Sequence, residues 1–243
     1  MKLSENIILI TGGTSGIGYE LGKALLKLNN TVILLGRDEE KLNNAQRQGF
    51  HTIRCDLADQ VDIENAVVKI QNEYSGLNIL FNNAGVQFNY LFADTVISFD
   101  KIRQEIDVNL TGQAILTQML IPVLSTAERA LIINTTSALG AFPKTDALVY
   151  SASKAAMRSF TTGLRYALKS TPVKVLELIP PVTDTGMTAG RDATKMSPEA
   201  LVAQILPQMA KEKSVLTTPA IRVFLWIAFL FPGMAHKILM KKR

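Results

Sequence analysis

Short apolar runs alternate with longer segments of helical periodicity along most of the chain, and this alternation constrains the fold more than any other feature. In the longer segments apolar residues recur every three or four positions, which is typical of amphipathic helices. The predicted strands lie at 7–10, 32–35, around 52, 79–81, 131–133 and 173–178, and the predicted helices at about 17–29, 39–48, 61–74, 99–124, 150–169 and 198–210. Strands that alternate with helices pair in parallel through right-handed crossovers, so helices cover both faces of the sheet. The sequence therefore predicts an α/β protein of three layers with a doubly wound, mostly parallel sheet.

Length and composition favour a single domain in a reducing compartment. With 243 residues, of which 47% are hydrophobic, the chain suits one α/β domain. We place that domain at 1–218, including a lid at about 180–197, and an apolar segment with a basic end at 219–243. The single cysteine, Cys55, excludes an internal disulfide, and the first apolar run is too short for a signal peptide, so we expect a cytoplasmic protein.

Two kinds of site are disfavoured by composition. His51 and His236 are not spaced as metal ligands, so no metal site is expected. The formal net charge of +5 is modest, and no basic stripe with interleaved aromatic residues occurs. Nucleic-acid binding is therefore not expected.

The loop after the first predicted strand carries a glycine pattern typical of phosphate binding. Gly12, Gly16 and Gly18 stand between the apolar run 7–10 and a helical pattern that begins near Ile17. Glycines let the backbone approach a pyrophosphate, and the N–H groups at the start of a helix then bind it. The spacing is wider than the Gly-x-Gly-x-x-Gly of most dinucleotide folds.

Tyr150 and Lys154 are one helical turn apart, so both side chains share a face. A phenol titrates near pH ~10, and a neighbouring cation favours its ionised form, so we expect Lys154 to lower the pKa of Tyr150. The pair alone is weak evidence, because helices often carry Tyr and Lys at this spacing as a surface pair. Taken alone, Ser137 is interpreted as a capping group beyond a strand and Asn109 as a polar helix residue.

Together these motifs resemble the short-chain dehydrogenase/reductase family over nearly the whole chain. The glycine turn, an Asn-Asn-Ala-Gly stretch at 82–85 and the polar residues above follow the family's order. One loop departs from the pattern, since Pro181 stands where Gly is usual and Thr183 where an aliphatic residue is usual. In that loop and in the C-terminal segment the chain resembles the DltE-like subgroup of bacterial reductases. The resemblance implies a Rossmann fold and an oxidoreductase.

The resemblance also implies which residues act. Hydride transfer to a carbonyl leaves negative charge on oxygen, so the site needs a proton donor and a second hydrogen-bond donor. By resemblance, Tyr150 donates the proton and Ser137 the second hydrogen bond. Lys154 would bind the nicotinamide ribose, and Asn109 would connect it through water to solvent. The implied cofactor-binding residues are Gly12, Thr14, Ser15, Gly16, Ile17, Gly18, Arg37, Asp56, Leu57, Asn83, Ala84, Gly85, Tyr150, Lys154, Pro180, Thr183 and Thr185.

The end of the second strand indicates which nicotinamide cofactor is used. A carboxylate there would bind an unphosphorylated ribose, but Gly36 occupies the position and Arg37 follows it. Arginine can bind a 2′-phosphate with charge-assisted hydrogen bonds, so NADP is predicted and NAD is less favoured. In the alternative, Arg37 is an exposed turn residue, and Asp38, which we expect to cap the next helix, reaches the ribose. Ser15 stands where many NADP-dependent members carry a second basic group.

The expected substrate is a small carbonyl compound or the corresponding alcohol. Leu139, Phe142, Val182 and Met187 are predicted pocket walls, and Lys144 and Arg191 are candidates for receiving an anionic group. A serine hydrolase is disfavoured, because Ser137 does not lie in a Gly-x-Ser-x-Gly turn. The competing function from another class is an NADP(H)-binding regulatory or scaffold protein with little turnover.

The C-terminal segment carries a continuous apolar run at 223–231, followed by Pro232 and by a basic end at 241–243. The run is too short to span a bilayer, which takes ~18 to 20 apolar residues. Two interpretations stay open: the segment packs over the substrate pocket or a subunit interface, or it lies in the membrane interface with Trp226 among the headgroups. The family commonly forms dimers or tetramers through helices that here correspond to 99–124 and 150–169, which implies a homo-oligomer.

Overall fold

The computed structural model describes residues 1–94 and 96–233 and contains a seven-stranded sheet of order β3-β2-β1-β4-β5-β6-β7. Every neighbouring pair of strands is parallel. The strand order reverses between β1 and β4, and this reversal opens a crevice at the carboxyl ends of the central strands. The strands are β1 Ile7–Thr11, β2 Thr31–Gly36, β3 His51–Arg54, β4 Leu77–Asn82, β5 Ala130–Thr135, β6 Val173–Ile179 and β7 Val215–Thr217.

Helices connect these strands close to the predicted positions. They are α1 Gly16–Leu26, α2 Glu39–Gln46, α3 Gln60–Glu73, α4 Phe99–Ile106, α5 Gly112–Leu124, α6 Leu148–Ala167, α7 Pro198–Ala210 and α8 Pro219–Leu230. The predicted helix at 99–124 is divided, because a π-helical turn at Asp107–Thr111 separates α4 from α5. The sequence prediction also missed β7, which is too short to show a periodic pattern.

The two faces of the sheet are covered by different helices, because successive residues of a strand point to opposite faces. On one face Leu9 packs in a cluster that includes Ile63 of α3 and Leu116 of α5. On the other face Ile8 packs in a cluster that includes Leu21 of α1 and Leu201 of α7. The predicted three-layer α/β architecture with a doubly wound sheet is therefore confirmed.

Side-chain caps mark the starts of several helices but not of α1. Asp38, Asp59, Ser98 and Ser197 each accept a hydrogen bond from a backbone N–H in the first turn of the helix that follows. Ser15, which precedes α1, makes no such bond. The first N–H groups of α1 are therefore left for another partner.

The described part of the C-terminal segment contains helix α8. Within the described residues no helix is both long enough and apolar enough to cross a membrane. The basic end at 241–243 and the residues from 234 onward lie outside the described residues.

Candidate active site

A cleft of about 1510 Å³ lies at the carboxyl ends of the central strands and brings most of the predicted site together. Gly18 and Asn109 are the two predicted site residues that do not line it. The predicted site residues that line the cleft are Gly12, Thr14, Ser15, Gly16, Ile17, Arg37, Asp56, Leu57, Asn83, Ala84, Gly85, Ser137, Tyr150, Lys154, Pro180, Thr183 and Thr185.

The glycine turn allows the backbone to pass close to the cleft. Gly12 has φ +61° and Gly16 has φ +55°, which is the left-handed region that favours glycine. A Cβ on Gly12 would lie 2.8 Å from Ala84 Cα, and one on Gly18 would lie 2.5 Å from Asn83 Nδ2. Gly18 therefore acts behind the cleft wall, where it allows α1 to pack against the turn. The uncapped start of α1 faces this turn and suits the phosphates of a dinucleotide.

Ser137, Tyr150 and Lys154 meet where β5 and α6 approach each other. Tyr150 is 8% exposed, and its hydroxyl hydrogen-bonds with that of Ser137. The ammonium of Lys154 donates to the Thr135 carbonyl oxygen at 2.8 Å and lies 5.8 Å from the centroid of the Tyr150 ring. The three predicted catalytic side chains are thus close together, with Tyr150 and Lys154 buried and Ser137 half-buried.

Burial dominates the protonation of this cluster. Burial raises the pKa of Tyr150 and outweighs the lowering effects of the Ser137 hydrogen bond and of the Arg191 charge. Burial also lowers the pKa of Lys154 to about 8. Both shifts favour neutral forms, because a charged group loses hydration in the interior. The expectation that Lys154 would bring the Tyr150 pKa below its ordinary value was therefore wrong for the protein chain alone.

Asn109 lies in the π-helical turn and holds the loop that follows β4. Its Nδ2 donates to the Val86 carbonyl oxygen at 2.9 Å and to Ser153 Oγ at 3.0 Å, and its Oδ1 accepts from the Val86 N–H at 2.8 Å. The π-helical turn widens the helix at this point, a distortion that often occurs at functional sites. The water link from Lys154 to solvent stays a prediction.

Two cations that follow β2, Arg37 in the turn and Lys41 on α2, line the cleft. The Arg37 guanidinium lies 3.4 Å from an Asp56 carboxylate oxygen and is half exposed. Lys41, which the sequence prediction missed, also lines the cleft and lies 3.2 Å from Asp38. Asp38 caps α2 as expected, accepting from the Lys41 N–H at 3.1 Å. The sequence signal for Lys41 was its position in the first turn of the helix that follows Gly36.

Glu105 is a second residue that sequence reasoning missed. It is fully buried, and its Oε1 accepts from the Phe88 N–H at 2.8 Å. Its other oxygen has no hydrogen-bond partner, and burial raises the pKa of the carboxyl. Phe88 lines the cleft, so this carboxyl supports part of the cleft wall. No motif contains Glu105, and only the fold places it beside the site.

The substrate end of the cleft mixes apolar and charged groups. Of the predicted walls, Leu139, Val182 and Met187 line the cleft, as do the cations Lys144 and Arg191. Phe142 instead packs edge-on against Phe224 of α8, with ring centroids 6.2 Å apart. Phe224 and Ile221 of α8 were not predicted and also line the cleft.

The family model described as "short chain dehydrogenase" matches residues 6–196. The chain belongs to this family. Short-chain dehydrogenases are oxidoreductases, and the cleft of this member is lined by Ser137, Tyr150 and Lys154.

Individual relatives support the family and its fold. The chain is 40% identical to the "Uncharacterized oxidoreductase DltE" of Bacillus subtilis over 189 residues, which cover 77% of this chain and 75% of the relative. A short chain dehydrogenase from Burkholderia cenocepacia, solved in complex with NADP, superposes with a TM-score of 0.88 at 22% identity and 100% coverage of both chains. A short chain dehydrogenase/reductase from Burkholderia phymatum, solved in complex with NAD, gives a TM-score of 0.84 at 19% identity, with 96% of each chain covered.

Proposed function

We propose that this short-chain dehydrogenase reduces a carbonyl compound with NADPH, or oxidises the corresponding alcohol with NADP⁺. The observation that carries the proposal is the convergence of the glycine turn with Ser137, Tyr150 and Lys154 in one cleft. The cofactor, when bound, supplies the hydride. The residues of the chain supply the proton and the hydrogen bonds.

The proposed proton donor is buried, and the second hydrogen-bond donor beside it is half-buried. Tyr150 would donate its phenolic proton to the substrate oxygen, and Ser137 would donate a second hydrogen bond to that oxygen. Because the pKa of Tyr150 is raised, the phenol is protonated at neutral pH and ready to donate. Lys154 is the neighbouring cation that would stabilise the phenolate left behind.

Two cations, Arg37 after β2 and Lys41 on α2, support the choice of NADPH. Arg37 and Lys41 both line the cleft, and Gly36 contributes no carboxylate that would repel a 2′-phosphate. Asp38 is engaged at the start of α2 and in an ion pair with Lys41. These contacts favour a phosphate of NADP over a bare ribose. The NADP- and NAD-bound relatives leave both cofactors open for the family.

We place the enzyme in the cytoplasm, and two of its surfaces support a homo-oligomer or a peripheral contact with the membrane. Helix α5 contains no charged residue along Gly112–Leu124, which favours burial against a second copy in a homodimer or homotetramer. Helix α8 turns Phe224 towards the cleft and leaves Trp226 and Phe229 exposed at 63% and 77%. That exposed face suits either a second copy or a peripheral contact with the membrane.

The test is Tyr150→Phe, assayed by NADPH absorbance against a panel of carbonyl compounds. The variant keeps the ring and lacks the proton, so cofactor affinity should persist while turnover falls at least ~10²-fold. Tyr166→Phe is the matched control, because Tyr166 lies on the same helix and is 72% exposed. Turnover of Tyr150→Phe at the wild-type rate would exclude the phenol as proton donor. A wild type that binds NADPH but reduces nothing on the panel would favour the regulatory or scaffold alternative.

A further inference from the structure

Arg191 is a cation in the cleft without a counter-ion. It lines the cleft beyond the short helical turn Gly186–Thr188, and its Nη2 donates to the Met187 carbonyl oxygen at 3.0 Å. Its Nε is buried and has no hydrogen-bond partner, and Arg191 forms no ion pair within residues 1–94 and 96–233. A buried guanidinium N–H that lacks an acceptor is unfavourable in the free protein. An acceptor brought by a ligand would remove that deficit.

The neighbouring lysines at this end of the cleft are already in ion pairs. Lys144 lies 3.1 Å from an oxygen of Asp146, and Lys195 lies 3.5 Å from Asp184. Asp192 follows Arg191 in the chain and lines the cleft but forms no ion pair with it. Among the described residues at this end of the cleft, Arg191 is therefore an unpaired cation that the proposed proton transfer does not already use.

Arg191 also lies close to the reacting position. Met187, whose carbonyl oxygen accepts from Arg191, borders the same point of the cleft as Lys154: a Cβ on Gly85 would lie 3.8 Å from Met187 Cε and 3.6 Å from Lys154 Nζ. If Arg191 binds one group of the substrate, only a short part of the substrate then lies between that group and the reacting carbonyl. Arginine suits carboxylates in particular, because its planar N–H groups match the two carboxylate oxygens.

We propose that Arg191 binds the carboxylate of the substrate, so that the enzyme acts on short oxo acids or the corresponding hydroxy acids. The inference rests on the proposed carbonyl reduction. The remaining walls, which include Leu139, Val182 and Phe224, are apolar and would contact the hydrocarbon part of such an acid.

The experiment compares oxo acids with their methyl esters, which keep the carbonyl and lose the charge. Pyruvate, 3-oxobutanoate and 4-oxopentanoate, each with its methyl ester, vary the distance between carboxylate and carbonyl. We expect the wild type to prefer one acid over its ester. In Arg191→Gln the acid-to-ester ratio of kcat/KM should fall at least ~10-fold, mainly through KM for the acid, because a charge-assisted contact is lost. Arg191→Lys should restore part of the preference.

Lys195→Gln is the matched control, since Lys195 belongs to the same loop but does not line the cleft. Its acid-to-ester ratio should equal that of the wild type. A wild type that reduces the esters as well as the acids, or an unchanged ratio in Arg191→Gln, would overturn the carboxylate proposal and leave carbonyl reduction standing. A wild type that reduced no acid, no ester and no neutral carbonyl of the panel would overturn both the carboxylate proposal and the proposed carbonyl reduction.

Discussion

At the scale of single residues, desolvation decides the state of the groups that the motif brings together. Tyr150 and Lys154 are 8% and 3% exposed. Burial raises the pKa of Tyr150 and lowers that of Lys154, and both shifts favour the neutral form. Arg37, in contrast, is half exposed and keeps contact with water as well as with Asp56. The buried pair therefore suits proton transfer, and the exposed cation suits recognition of a charged cofactor group.

The exposed cation leads to a prediction about cofactor choice. Arg37→Ala should weaken NADPH binding by ~1.5–3 kcal/mol, the range of a charged hydrogen bond, and leave NADH binding nearly unchanged. Lys41→Ala should act in the same direction. Calorimetric titration with both cofactors measures the effect. Arg47→Ala is the control, because Arg47 follows α2 at its opposite end and contacts Asn44. If the wild type bound NADH more tightly than NADPH, Asp38 would become the ribose-binding candidate.

At the scale of elements, α8 has two different faces. Ile221 and Phe224 line the cleft, whereas Trp226, Phe229 and Leu230 are exposed. The inward face of α8 thus forms part of the cleft wall. The outward face consists of large apolar side chains and suits contact with a membrane or with another copy.

The outward face can be tested without disturbing the pocket. If it enters a membrane interface, the full chain should sediment with anionic vesicles at low salt and be released as salt rises. The double variant Trp226→Ser and Phe229→Ser should sediment much less. Val61→Ser is the control, because Val61 on α3 is 62% exposed and lies outside α8 and outside the helices expected at the subunit interface. If the wild type stayed in the supernatant and the double variant had a lower oligomeric mass, the face would be a subunit contact.

At the scale of the whole molecule, Glu212 joins distant parts of the chain at the side opposite the cleft. Its buried carboxylate lies 3.0 Å from the N-terminal ammonium and 2.7 Å from Lys174 Nζ, and it also pairs with Arg129. Lys174 belongs to the start of β6, and Arg129 immediately precedes β5. These cations hold the pKa of Glu212 well below its ordinary value, at about 2. One carboxylate thus links the N-terminus to the amino ends of β5 and β6.

This network predicts how stability changes with pH. Because the folded pKa is about 2 and the ordinary value is 4.5, the ionised carboxylate stabilises the fold above pH 4.5, and that stability is lost as pH falls towards 2. Glu212→Gln should therefore lower the free energy of unfolding by ~1–3 kcal/mol at neutral pH and by progressively less in acid. Glu5→Gln is the control, since its pair with Lys2 is exposed. Denaturant unfolding at several pH values measures both, and equal pH slopes for Glu212→Gln and the wild type would contradict the prediction.

Much of the architecture could be predicted from the sequence, because strands, helices and turns depend on patterns among residues that are close together in the chain. Strand and helix periodicity predicted the layers of the fold, and the glycines predicted the turn before α1, where Gly12 and Gly16 have positive φ. The spacing of Tyr150 and Lys154 predicted one shared helical face, which α6 provides. Each of these signals is readable within a few residues of chain.

Only the tertiary structure decided the features that depend on contacts between distant segments. The π-helical turn at Asn109, the buried carboxyl of Glu105 against Phe88 and the unpaired Nε of Arg191 have no local signature. The direction of the Tyr150 pKa also depends on burial, which overrode the effect expected from sequence spacing. The physical reason is that desolvation and pairing depend on what surrounds a side chain in space, and those neighbours come from many parts of the chain.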